Sequence, residues 1–271
     1  MYKGDSHVHS RFSADSKEKL ENIFEKAVEL GLDEITITDH MDFADREEDD
    51  LFVFDIDEYV KTLNTYKQKY KDKLIIKIGV EVGIQPHLYK RYEPVLKANC
   101  WDFIIGSSHS VDHMDVGYND IYLKYKTKNE VHRRYFETIL ENLDIYHDIS
   151  VYGHLDFIRR YGGGVHSDHK IIDLELHKEL IDKILKKLIS KNIGIEINTS
   201  GIRYGVGDFH PCREILARYK ELGGKIITIG SDAHRAEDIA KDFGEAKELL
   251  KSLGYKYFCT FTNRKLEFKE L

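Results

Sequence analysis

Two short segments near opposite ends of the chain carry residue types that could do chemistry. They are Asp5-Ser6-His7-Val8-His9 and Gly230-Ser231-Asp232-Ala233-His234. Each sets two potential metal ligands at i and i+2, at the end of an apolar run. In a β-strand those side chains share one face. Clustered imidazoles and carboxylates are what divalent transition metals bind. A pair at each end predicts one site, closed by bringing the first and last strands together.

The elements that must position such a site are legible in the alternation of the chain. Apolar runs of strand length fall at residues 34–38, 74–80, 103–106, 149–153, 194–198 and 225–230. Amphipathic helical stretches lie between them, at residues 16–30, 174–189 and 213–222. Gly31 and Gly223 follow helices, where C-caps belong. Strand–helix alternation predicts an α/β fold with a parallel sheet, open or closed into a barrel. The β-prone tail at 255–268 predicts a terminal strand. On this scheme His7 and His9 end the first strand, Asp39 and His40 the second, and Glu81 the third. His109 follows the fourth, His154 ends the next, and Asp232 and His234 end the last. Parallel α/β folds place their sites at these C-terminal strand ends.

Each residue also has a plainer reading. A carboxylate such as Glu81 inside an apolar run is costly unless it meets a cation, which could equally be a buried arginine. Isolated histidines are mostly structural, and His87, His132, His147, His166, His169, His177 and His210 are left in that role. The convergence of the others on strand ends favours a metal site.

Composition narrows the classes. A chain of 271 residues with 41% hydrophobic content suits one barrel-sized domain spanning 1–271. The net charge of −7, with acids and bases interspersed, argues against a long nucleic acid or a membrane surface as partner. No apolar stretch approaches the ~18 residues of a membrane span, and the start lacks a signal-peptide core. Cys100, Cys212 and Cys259 are scattered and form no CxxC pair, so a cytoplasmic protein is expected.

The ordered motifs His7-Val8-His9, Thr38-Asp39-His40, Glu81-Val82-Gly83, Ser107-Ser108-His109, Gly153-His154-Leu155-Asp156 and Ser231-Asp232-Ala233-His234 resemble those of the PHP (polymerase and histidinol phosphatase) metallohydrolases. The resemblance covers nearly the whole chain. It implies a distorted (β/α)7 barrel with a centre of three divalent metal ions, Zn, Mn or Fe. One ion would take His7, His9, Glu81 and Asp232. A second would share Glu81 and take His109 and His154. The third would take His40, His234 and a ligand after the first motif. Many family members carry histidine there; in Ser10-Arg11-Phe12-Ser13-Ala14-Asp15 the substitute is Asp15, which could also cap the helix that follows.

In length and in two further segments the chain is similar to small stand-alone members of the family that act on L-histidinol phosphate. Phe157-Ile158-Arg159-Arg160-Tyr161 and Asn198-Thr199-Ser200-Gly201-Ile202-Arg203 each place an arginine above the barrel mouth. A guanidinium grips phosphate oxygens in bidentate fashion. The implied assignment gives Arg160, and secondarily Arg203, to the phosphate, with Asp232 and His234 as groups that could handle the leaving-group proton. Three divalent ions outweigh the carboxylates Asp15, Glu81 and Asp232, so an acidic protein still offers a positive pocket to a dianion. Three other readings compete: the same chemistry on a nucleotide or other small monoester, an amidohydrolase-type deaminase, and a non-catalytic metal-binding module. The carboxylate Glu81 at the bridging position and the extra ligand His234 disfavour deamination. A ligand at all nine positions disfavours the inert module. The segment from His109 to Thr127, with Tyr118, Tyr122 and Tyr125, reads as a packed loop or a lid.

Overall fold

The apolar runs form parallel strands in the spatial order β1 (Gly4–Val8), β2 (Glu34–Ile37), β4 (Ile75–Gly83), β5 (Phe103–Ser107), β8 (Val151–Tyr152), β9 (Gly194–Asn198) and β10 (Ile227–Gly230). A two-residue strand, β3 (His40–Met41), pairs with β4 beyond the end of β2. The computed structural model describes residues 2–165 and 168–271, and His166 lies outside them. The sheet nearly closes on itself. The Asp232 N–H donates to the His7 carbonyl and the His9 N–H to the Ala233 carbonyl, both at 2.8 Å. Beneath them the Asp5 carboxylate accepts from the Ser231 N–H at 3.0 Å and its hydroxyl at 2.6 Å. The first and last barrel strands thus meet, and the architecture is a distorted (β/α)7 barrel.

Helices between the strands bury one stripe each. In α1 (Leu20–Glu29) that stripe is Leu20, Ile23, Phe24 and Ala27, the i, i+3, i+4, i+7 pattern of a helix against a core. The helix starts four residues later than the sequence pattern predicts. Residues 16–19 are held outside it, because the Ser16 hydroxyl donates to the His234 carbonyl at 3.0 Å and Glu18 accepts from the Ala236 N–H at 2.9 Å. Side-chain caps start α2 (Ile56–Tyr70) at Asp55, α5 (Lys128–Ile145) at Thr127 and α6 (Leu174–Ser190) at Asp173. Gly31 and Gly223 have φ of 66° and 92°, the left-handed conformation that a C-cap demands.

The tail does not add a strand to the barrel. It forms a separate antiparallel hairpin, β11 (Tyr257–Thr262) with β12 (Lys265–Glu270), turning at Asn263 and Arg264, both at positive φ. Phe261 packs on Phe103, with ring centroids 5.2 Å apart, and the Asn263 N–H donates to Asp102 at 2.9 Å. The hairpin therefore covers the N-terminal ends of the strands, leaving the opposite mouth free. At that mouth the 109–127 segment folds into a small hairpin, β6 (Ser110–Val111) with β7 (Met114–Asp115), followed by α4 (Asp120–Lys124). Tyr122 is buried and Tyr125 is hydrogen-bonded to Asp112, while Tyr118 faces the cleft. Among the described residues no helix is long and apolar enough to cross a membrane.

Candidate metal centre

Glu81 is the hub. It lies near the C-terminal end of β4, buried, in register with His40 on β3. Its Oε2 is 3.1 Å from His7 Nε2, 3.4 Å from His9 Nε2 and 3.1 Å from His40 Nδ1. Its Oε1 is 2.9 Å from His154 Nε2 and 3.3 Å from His109 Nε2. Five imidazoles from four segments therefore surround one carboxylate. Asp232 Oδ1 adds a second, 3.4 Å from His9 Nε2 and 3.8 Å from His7 Nε2. Asp15 Oδ2 adds a third, 3.1 Å from His234 Nε2 and 3.7 Å from His40 Nε2. All nine side chains singled out in the sequence meet at the C-terminal mouth of the barrel.

The strand argument places the first pair but not the second. His7 lies in β1 and His9 one residue past its end, and both reach Glu81. Asp232 and His234 lie beyond β10, and Asp232 has a φ of 53°. A left-handed turn, not a strand face, aims them inward. His154 is likewise at positive φ, 22°. Non-glycine residues hold such conformations only where the surroundings over-determine them, as they often do at functional sites. Gly230 is required for a different reason. A Cβ there would lie 2.2 Å from Glu196 Oε1 and 2.5 Å from His7 Cβ.

A ring of groups that the sequence reading did not assign orients the imidazoles. Glu196, buried in β9, accepts from His7 Nδ1 at 2.6 Å with one oxygen. Its other oxygen accepts from the His154 N–H at 3.0 Å and Asn198 Nδ2 at 3.1 Å. Asp42 binds His109 Nδ1 at 2.6 Å, and Ser13 Oγ lies 3.1 Å from His9 Nδ1. The Ser107 hydroxyl donates to Glu81 at 2.6 Å. Asp39 proves to be a loop clamp, accepting from the N–H and hydroxyl of both Ser10 and Ser13. A signal for Glu196 was present: like Glu81, it is a carboxylate inside an apolar strand. No comparable signal marks Ser13 or Asp42.

Electrostatics follow from this crowding. Burial opposes the charged form of Glu81, but His7, His40 and His109 outweigh it and hold its pKa well below the carboxylate range. Burial also opposes the charge on Asp232; His7, His9 and Arg160 again prevail and lower its pKa. His9 goes the other way: burial, then the neighbouring His234 and His40, push its pKa well below the usual imidazole value. His9 Nε2 and His40 Nδ1 are both buried without a hydrogen-bond partner, although carboxylate oxygens stand close by. Such nitrogens beside ionised carboxylates present lone pairs to a shared centre, and that donor set fits divalent cations.

Arg160 closes the inner wall of the cleft. Its guanidinium lies over Phe157 at 4.4 Å and Tyr204 at 4.2 Å. It donates to Ser200 and, at 3.2 Å, to Asp232 Oδ2. Arg203 points elsewhere. Its Nη2 donates to the carbonyls of Ser231 at 3.2 Å and Asp232 at 2.8 Å. The cleft has a volume of about 1210 Å³ and is lined by Arg160, Glu81, His109, His154, Asp232 and Tyr118 among others, but not by Arg203. The described histidines left in structural roles sit outside the cluster. His132 and His177 pack between α5 and α6, His169 is buried, and His147 lies at the surface beside Lys191. His210 pairs with Asp156 at 2.6 Å, and His87 with Asp45 at 2.6 Å.

Comparison with known proteins gives this geometry a context. The histidinol-phosphatase of Lactococcus lactis is 33% identical over 268 residues, covering 98% of this chain and 97% of that protein. A "Probable histidinol-phosphatase" of Clostridium acetobutylicum is 32% identical, covering 93% and 94%. Among solved structures, the histidinol phosphate phosphatase of Lactococcus lactis complexed with zinc, L-histidinol and phosphate superposes with a TM-score of 0.88, at 33% identity over 98% of both chains. The PHP domain profile matches residues 5–200, which contain all the clustered side chains except Asp232 and His234. This chain belongs to the PHP domain family.

Proposed function

We propose that the chain is a metal-dependent phosphatase that converts L-histidinol phosphate to L-histidinol and phosphate, a cytoplasmic step of histidine biosynthesis. The observation that carries this reading is the ring of histidines around Glu81 beside a guanidinium, in a chain aligned end to end with a relative whose structure holds zinc, L-histidinol and phosphate.

Three divalent ions fit the donors best. His7, His9, Glu81 and Asp232 would hold one, Glu81, His109 and His154 a second, and Asp15, His40 and His234 a third. Zinc, manganese and iron all suit mixed imidazole and carboxylate ligands. When bound, such ions supply Lewis acidity: they offset charge on a phosphoryl group and acidify water.

The chain's own residues do the rest. Arg160 is the phosphate grip. Its plane is fixed between Phe157 and Tyr204, so little orientational freedom is lost when it meets phosphoryl oxygens. Asp232 is the pivot between the two halves of the site, since Oδ1 faces His7 and His9 while Oδ2 faces Arg160 and Ser200. With His234, whose Nδ1 lies 3.6 Å from Asp232 Oδ1, it forms a titratable pair beside that grip. Arg203 is reassigned from substrate to support. It fixes the backbone of the Ser231–Asp232 turn, and so the aim of Asp232.

The test is a panel of phosphate monoesters ranked by kcat/KM with metal-replete protein. L-histidinol phosphate should lead it, ahead of mononucleotides and sugar phosphates. A nucleotide at the top would replace the substrate and keep the chemistry. Hydrolysis of none of them would sink the reading.

A further inference from the structure

A second group of metal-ligand side chains stands at the rim of the cleft, apart from the Glu81 cluster. Asp45 lies in the loop after β3, His87 in the turn Pro86–Leu88 after β4, and His113 at the tip of the β6–β7 hairpin. His87 Nε2 is 2.6 Å from Asp45 Oδ1, and His113 Nδ1 is 2.8 Å from Asp45 Oδ2. The two rings lie with centroids 4.3 Å apart and planes tilted by 45°. One donor atom from each residue lies within 4.8 Å of the other two. We infer that Asp45, His87 and His113 form an accessory binding site for one transition-metal ion of the zinc type, which ties the β6–β7 hairpin to the rest of the cleft rim.

Three observations carry this. The first is the donor set. Two imidazole nitrogens and one carboxylate oxygen suit zinc, nickel or copper, whereas magnesium and calcium prefer all-oxygen shells. The second is convergence. Three segments distant in sequence each present a ligand type to one point, and both rings turn their nitrogens toward the same carboxylate.

The third is support. The side chains are exposed, but the chain neighbours of Asp45 and His113 are held in place. Next to Asp45, the Ala44 N–H donates to Asp50 at 2.8 Å and the Ala44 carbonyl accepts from Arg91 at 2.7 Å. Next to His113, Asp112 is held by Arg134 at 2.8 Å and Lys124 at 3.0 Å. Ligands flanked by neighbours already held in place need less reorganisation to accept an ion. The site has only three protein ligands, and His113 keeps 60% of its side-chain surface. The remaining coordination positions therefore face water, and the ion should bind more weakly than those of the buried cluster. This inference does not depend on the substrate assigned above.

Metal-replete protein would be dialysed against buffered free zinc over a graded range, and bound zinc counted by mass spectrometry. Wild type should take up one equivalent more than His87→Ala or His113→Ala, whatever the content of the buried cluster. His147→Ala, at an unrelated exposed histidine, should match wild type. The extra equivalent should raise the melting temperature in wild type and not in the two variants. Both variants should keep the wild-type circular dichroism spectrum and hydrolyse phosphate esters at the wild-type rate at low zinc. Replacing zinc by magnesium should add nothing. Equal stoichiometry in wild type and both folded variants across the range would overturn the site. So would an extra equivalent that survives both substitutions.

Discussion

Arg160→Met separates the phosphate grip from the metal cluster. Methionine can occupy the slot between Phe157 and Tyr204 as an apolar chain of similar reach, so the fold should tolerate it. What disappears is the planar fork that now donates to Ser200 and Asp232. In the substrate complex that fork would face phosphoryl oxygens whose charge redistributes in the transition state. Losing one such donor costs about 2–4 kcal/mol of transition-state stabilisation, or roughly 30- to 1,000-fold in kcat/KM. Metal content should stay at the wild-type value, since no nitrogen of Arg160 is a ligand. Phosphate release from L-histidinol phosphate would give the rate constants, and elemental analysis the metal content. Inhibition by inorganic phosphate should weaken in parallel. Arg160→Lys should fall between the two, because it restores the charge without the fork. If Arg160→Met kept kcat/KM and phosphate inhibition at wild-type values, Arg160 would be a brace for Asp232 and nothing more.

Two further outcomes are expected. Glu196 orients His7 through its side chain and His154 through its backbone, so Glu196→Gln should lower metal affinity or activity about 10- to 100-fold while the protein stays folded; competition with a chelator would measure it, and unchanged affinity would show that the contact is incidental. His132 is a buried imidazole whose pKa is pushed down to about 3, first by desolvation and then by His177 and Lys128. Below the unfolded pKa of about 6.5 the unfolded chain binds a proton that the native one refuses, so stability falls as pH drops from there toward the folded value. Each pH unit in that window should cost wild type about 1.4 kcal/mol relative to His132→Leu. Denaturant unfolding at pH 6 and pH 5 gives that difference directly, and identical slopes for the two proteins would refute it.

The sequence by itself determined which side chains would cluster and the kind of fold that gathers them. His7, His9, His40, Glu81, His109 and His154 stand at or just past the ends of apolar runs, and parallel strands with helical crossovers must bring those ends to one mouth. Buried charged and imidazole side chains at such positions need partners, so their gathering was readable, although Asp39 at the same kind of position is a loop clamp. What the tertiary structure alone decided depends on contacts between segments far apart in the chain. Asp232 and His234 reach the site through a left-handed turn braced by Arg203, not through strand periodicity. Residues 16–19 stay out of α1 because they bind the loop after β10, a partner more than two hundred residues away in sequence. The tail became a hairpin under the barrel, where Asp102 holds its turn and Phe103 packs on Phe261. Arg160 and Arg203 look alike as sequence, each an arginine a few residues past a strand. Only packing separates them: one guanidinium is stacked toward the cleft, while the other is turned to backbone carbonyls. Local pattern encodes burial and period, whereas the direction of a long polar side chain is set by which neighbours supply its hydrogen bonds.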